Sequence, residues 1–199
     1  MTDRRFSYAL LAPVAAISLS ACGINSVPAS EENVKAKWAD VQNQYQRRAD
    51  LVPNLVAVVK GYAKQEQDTL TRVTEARAKA TSVQVSADDL QDPQKVAAFQ
   101  AAQNELGRSI GRLLVSVEAY PDLKSNQNFL ALQSQLEGTE NRIAVSRRDY
   151  NEAVRDYNTR IRTFPEMIGA KLVHGAKPMT PFEATTQGAE EAPKVDFGA

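Results

Sequence analysis

The chain is poor in the residues that most often carry chemistry: it has one cysteine, one histidine and one tryptophan among 199 residues. A single thiol, Cys22, excludes an internal disulfide, and one imidazole, His174, cannot build the usual zinc site in which cysteines and histidines act together. His174 also lies near the C-terminus, far in sequence from any serine-rich stretch, which argues against a Ser-His-Asp relay. A di-iron site between helices asks for Glu-x-x-His, and the residue three before His174 is Lys171. No metal or cofactor is therefore expected. Neither sign of charge dominates: 24 basic and 24 acidic residues cancel, so the overall balance recommends neither nucleic acid nor an acidic polymer as partner. There is no internal repeat, no low-complexity run and no sustained strand-like alternation.

What is present begins with an address. Arg4 and Arg5 precede an apolar run from Phe6 to about Leu19, which ends in Leu19-Ser20-Ala21-Cys22. That order is a secretion signal, and its ending matches a lipobox, where a peptidase cuts before cysteine and the thiol carries diacylglycerol. The competing reading is an uncleaved anchor with a chance cysteine. Against it, the run contains Pro13 and falls short of the ~20 apolar residues a spanning helix needs. Phe6 follows the arginine pair directly, where twin-arginine export has an intervening residue, so ordinary Sec export is expected. A diacylglyceryl plus an N-acyl group, at ~0.8 kcal/mol per buried methylene, anchors a protein stably. Gly23 is not the aspartate that retains such proteins in the inner membrane, which favours the outer membrane, facing the periplasm. Removal of residues 1–21 leaves 178, enough for one domain.

Eight of the nine prolines fall where the hydrophobic period breaks. Residues 22–30 read as a short flexible tether, after which Val34, Trp38, Val41 and Tyr45 form one helical stripe. At Asp50-Leu51-Val52-Pro53 either a new helix is capped with proline in its first turn or a long helix kinks. Leu55, Val58, Val59, Tyr62, Leu70 and Val73 extend the stripe until the polar stretch 81–90. Asp92-Pro93 reads as an N-cap and N1 proline for a helix carrying Val96, Phe99, Leu106, Ile110, Leu113, Val117 and Tyr120, stopped by Pro121. The longest pattern spans about 125–164, where Phe129, Leu136, Ile143, Tyr150, Tyr157 and Phe164 share one heptad position. About 40 residues at 1.5 Å each make a helix of ~60 Å. Long helices joined by short turns predict an all-α, antiparallel up-and-down four-helix bundle over residues 31–165. Residues 166–199, rich in proline and glycine, predict a flexible tail with Phe182 and Phe197 as docking points.

Carboxylates are the remaining candidates for chemistry: Glu66, Glu75, Glu105, Glu118, Glu137 and Glu140, although glutamates are also ordinary residues of exposed helices. Arg47-Arg48 lies near Asp50 and Arg147-Arg148 near Asp149. Adjacent helical residues point about 100° apart, so one arginine of each pair can face an inner acidic partner while the other meets solvent. Glu140 and Arg147 fall on or beside the apolar stripe, as an interior polar network or as solvated flank residues; such a network can serve only to fix helix register. Gly107 and Gly111, four apart, suit close helix approach, and Arg108 and Arg112 exclude a membrane dimer motif.

The string Gln44-Tyr45-Gln46-Arg47-Arg48-Ala49-Asp50-Leu51-Val52-Pro53-Asn54-Leu55-Val56, with Val59-Lys60-Gly61-Tyr62, resembles the LemA family. Glu118-Ala119-Tyr120-Pro121-Asp122-Leu123-Lys124, Asn128-Phe129, Glu140-Asn141-Arg142-Ile143-Ala144, Arg147-Arg148-Asp149-Tyr150-Asn151, Tyr157-Asn158 and Phe164-Pro165 fit it in order. The resemblance spans about 33–165 and implies a helical bundle outside the cytoplasm, membrane-anchored, with no agreed enzymatic activity and with an envelope partner, in some members beside membrane metalloproteases. Many members keep an uncleaved N-terminal helix, from which the lipobox departs. The expectation is a noncatalytic adaptor or membrane-organising protein, with Arg47, Arg48, Asp50, Asn54, Tyr120, Asp122, Glu140, Arg147 and Asn151 as partner-surface or polar-network residues. The alternative is an envelope hydrolase acting on peptidoglycan or another glycan through a carboxylate general acid, Glu118 or Glu140, which would need two carboxylates ~5–9.5 Å apart in an open cleft.

Overall fold

The computed structural model describes residues 25–183; the signal, Cys22 and Phe197 lie outside the described residues. Those residues are helical with no strand among them: α1 (Ser26–Tyr62), α2 (Gln67–Ser82), a 3-10 turn (Asp88–Gln91), α3 (Pro93–Val117), α4 (Pro121–Lys124), α5 (Gln127–Arg160) and α6 (Glu166–Leu172). No helix among them is long and apolar enough to cross a membrane.

Two of the boundaries are set by side-chain caps. The Asp92 carboxylate accepts from the Gln94 and Lys95 amides, with Pro93 at the first helical position, and the Asn126 side-chain carbonyl accepts from Asn128 and Phe129. Both caps occupy backbone donors that have no partner inside the helix. The expected tether gives way at Ser26, where α1 already begins. Val27 extends the stripe seven residues before Val34 and is fully buried, while Pro28 falls in the first turn, where a missing N–H costs nothing.

Pro53 leaves α1 continuous through residues 26–62. A proline there removes the amide that would bond the carbonyl of Ala49. That carbonyl is supplied instead by Arg77 of α2, whose Nε donates to it at 2.8 Å. The long-helix reading therefore holds, with the orphaned acceptor satisfied across the α1–α2 interface.

Pairwise contacts fix helix directions. Trp38 meets Tyr150, Arg48 meets Glu140, and Tyr62 meets Asn126, so α1 and α5 run in opposite senses along their length. Gln103 bonds Ala80, and Tyr120 bonds Glu66, so α3 returns along α2. Two apolar clusters fill the interior. One centres on Trp38, Phe99, Tyr150 and Tyr157, and the other on Leu55, Leu106, Leu113 and Phe129.

The expected flexible tail is corrected over its described part. Residues 166–172 form α6, with Ala170 fully buried, and the segment to Glu183 lies against the helices with Met179 and Phe182 in the core. Proline and glycine interrupt helices, but they do not prevent an extended chain from packing. The Arg77 bond is testable in urea unfolding. Arg77→Met should cost about 1–2 kcal/mol, and the loss should largely vanish beside Pro53→Ala, where residue 53 regains its own N–H.

Candidate functional site

Arg48 is the one fully buried cation among the described residues, 3% exposed on α1. Its Nη1 donates to Glu140 of α5 at 3.1 Å, and its Nη2 donates to the main-chain and side-chain carbonyls of Gln103 of α3 at 2.6 and 3.0 Å. The guanidinium also stacks over Tyr45, 5.0 Å from the ring centre. Gln103 passes the linkage on, donating to Ala80 at the end of α2. One planar fork thus ties three helices, with α2 joined through Gln103, which is the geometry a guanidinium serves better than an ammonium. Gly107 makes room for it, since a Cβ there would stand 3.2 Å from Nη1. Burial pushes the Tyr45 phenol above its ordinary range, and Arg147 and Arg48 nearby oppose the shift.

A second constellation grips the C-terminal segment by its backbone. Asn158 pairs with both the N–H and the carbonyl of Met179, and Asn151 does the same with Phe182. One step aside, Tyr157 donates to Lys177 and Tyr150 to Thr180. Gln100 of α3 pairs with both groups of Glu183, Arg147 donates to the Glu183 carbonyl at 3.0 Å, and Thr180 donates its amide to Leu90. Arg147 also lies 5.0 Å over the Phe182 ring. An extended segment outside any sheet needs its polar groups satisfied in some other way, and the seven-residue spacing on α5 provides it. Burial pushes the Tyr150 phenol well above its usual range, so it remains a donor to Thr180.

The family model of the LemA family matches residues 37–197. The chain belongs to the LemA family. It is 26% identical over 172 residues to magnetosome protein MamQ 2 of Paramagnetospirillum magneticum, covering 78% of this chain and 63% of that protein. It is 24% identical to magnetosome protein MamQ of Magnetospirillum gryphiswaldense with the same coverage. With protein LemA of Metamycoplasma hominis it shares 28% identity over 118 residues, 59% of this chain and 49% of the relative. The chain thus spans less than two thirds of the length of these relatives.

In this LemA family chain the sequence candidates separate into distinct places. Arg48 and Glu140 share one node, while Arg147 and Asn151 hold the C-terminal segment. Tyr120 donates to Glu66 at 3.0 Å near the opposite end, where Asn126 bonds Tyr62. Asp50 is exposed and accepts from Gln46 rather than from either neighbouring arginine. Arg47, Asn54 and Asp122 are exposed. Among the carboxylates, Glu118 pairs with Lys124, Glu105 with Arg108, and Glu137 accepts from Gln133; Glu75 is exposed. Gln100 and Gln103 carry no sequence signal, and Asn158 stands only within the Tyr157-Asn158 motif, although the Asn151–Asn158 spacing, parallel to Tyr150–Tyr157, marks its role.

Between α3 and α5 the surface does not close. A trough of about 540 Å³ runs past Gly107, Ile110, Gly111, Leu114, Leu136, Glu137 and Glu140, and beyond Leu114 a second hollow holds the exposed Val115 and Leu130. The two glycines on its wall are expected to respond differently to the same change. Gly111→Ala, with open space around it, should stabilise by about 0.5–1 kcal/mol through helix propensity. Gly107→Ala should fall at least about 1 kcal/mol below it, because the new methyl crowds the buried Arg48 guanidinium. Thermal and urea unfolding of the two variants decide the point.

Proposed function

We propose that this chain is a noncatalytic, lipid-anchored envelope protein, cleaved before Cys22 and facing the periplasm from the outer membrane, whose helices form an antiparallel up-and-down bundle that binds a polypeptide partner. The α3–α5 trough carries this reading. It is a long apolar groove with small residues on one wall and polar residues at its rim, the shape that accepts the apolar face of an amphipathic helix. Support for a membrane setting comes from the signal-like first 22 residues and from relatives named as magnetosome proteins. The opposed directions of α1 with α5 and of α2 with α3 support the bundle order. Family resemblance favours an envelope protein as the partner, with a membrane metalloprotease system as one such setting.

The hydrolase alternative keeps one feature in its favour, since Glu137 and Glu140 both line the trough, but the ion pairs of its two candidate acids favour the binding reading. Glu140 bonds Arg48 and Glu118 bonds Lys124. The many satisfied polar side chains at the family motifs serve packing and chain docking instead.

A photoreactive residue placed at Leu114 or Asn141, both lining the trough, tests the reading in the native host. The expected outcome is a crosslink to one envelope protein, absent from an identical probe at exposed Arg72 and lost in the Cys22→Ser chain. Crosslinks of the same identity and yield from trough and control positions would contradict it.

A further inference from the structure

The described residues expose eight large hydrophobic side chains, and four of them, Phe164, Ile168, Leu172 and Val173, fall within one ten-residue stretch. Single exposed apolar residues are ordinary, but a cluster is not. α6 explains their placement. Its Gly169 and Ala170 are buried, Ala170 in the cluster that also holds Val27 and Ile161. Ile168 and Leu172, four apart, therefore share the outward face, 50% and 81% exposed, with Phe164 at 77% in the turn before the helix.

The charge around this patch is one-sided. Between residues 160 and 177 Arg160, Arg162, Lys171 and Lys177 are exposed, and Glu166 is the single acid. On the adjoining start of α1, Glu31 and Glu32 are both ion-paired with Lys35. The patch also lies at the end of the molecule where α1 begins. Asn25 is three residues from Cys22, and three residues reach at most about 10 Å. A chain anchored at Cys22 thus carries this end to the bilayer whatever path the intervening residues take.

We propose that the α5–α6 turn and the outer face of α6 seat in the interface of a bilayer containing anionic phospholipid, so that the body stands on the membrane rather than swinging from its anchor. The inference rests on the anchoring reading above. Phe164, Ile168 and Leu172 enter the headgroup–acyl boundary, and the surrounding arginines and lysines meet lipid phosphates, the pairing that interfacial helices use. α1, 37 residues long, then rises about 55 Å from the surface and displays the α3–α5 trough away from the membrane.

Acylation of the only native cysteine allows a clean test. The full chain, produced with its own signal and bearing Leu172→Cys or Val115→Cys, is nitroxide-labelled and reconstituted in vesicles of phosphatidylethanolamine and phosphatidylglycerol. Flotation reports anchoring, and relaxation by oxygen against a water-soluble nickel chelate reports immersion. The Leu172 position should favour oxygen severalfold over the Val115 position. Flotation with equal nickel access at both positions would overturn the seating while leaving the anchor intact. A chain that does not float would overturn both. Immersion unchanged in pure phosphatidylcholine would overturn the role given to the basic rim.

Discussion

The architecture depends on what gathers around Trp38. Its ring lies 5.2 Å from Phe99 of α3, 5.4 Å from Tyr150 of α5 and 5.7 Å from Phe182 of the C-terminal segment. Its indole N–H donates to Val85 in the loop after α2. Aromatic groups in tilted and offset contact bury large area while holding a defined geometry, so one side chain sets the register of five segments at once. Arg48 stands further along the same helix and repeats the arrangement in polar form, tying α1 to α3 and α5 through Gln103 and Glu140. The first site supplies apolar burial. The second supplies direction, since a buried guanidinium tolerates few alternative partners.

The C-terminal segment is a working part of this core rather than an appendage. Without Phe182, one face of Trp38 and of Tyr150 would lose its cover, and the Asn151 and Asn158 amides would lose the main chain they bind. At the level of Gln100, α3 and α5 are bridged by Glu183. Beyond that point they are left apart, and the trough begins. The same segment therefore closes one half of the α3–α5 space and leaves the other half open. The crowded apolar turn at 164–173 places a contrasting surface at the end where α1 begins.

Much of this was legible from residue order because the governing signals are local. Asp92 before Pro93 specified a helix start from their own chemistry, and the heptad repeat from Phe129 to Tyr157 specified a long helix, although Phe164, the next member, falls beyond its end at Arg160 and is exposed. Pro53 left two readings because the choice depended on a donor 24 positions away, Arg77, that no local rule could supply. Arg48 was recognisable as one of a pair of which one member could turn inward. Its partners could not be assigned, because they come from α3 and α5 and follow from helix register. The C-terminal segment was misread for a related reason: its proline and glycine content describes what it cannot form, whereas its order comes from side chains on another element. The exposed face of α6 was hidden because half of that short helix is buried only by the fold.

Through Met179 and Phe182, residues 177–183 belong to the core that Trp38 organises. Hydrogen exchange of the full chain, read at the amides of Met179, Thr180 and Phe182, tests it most directly. The account expects protection comparable with the middle of α5, lost at Met179 and Phe182 together with Trp38 burial when Asn151 and Asn158 are both changed to alanine. Exchange at those three amides as fast as in an unstructured peptide would contradict it.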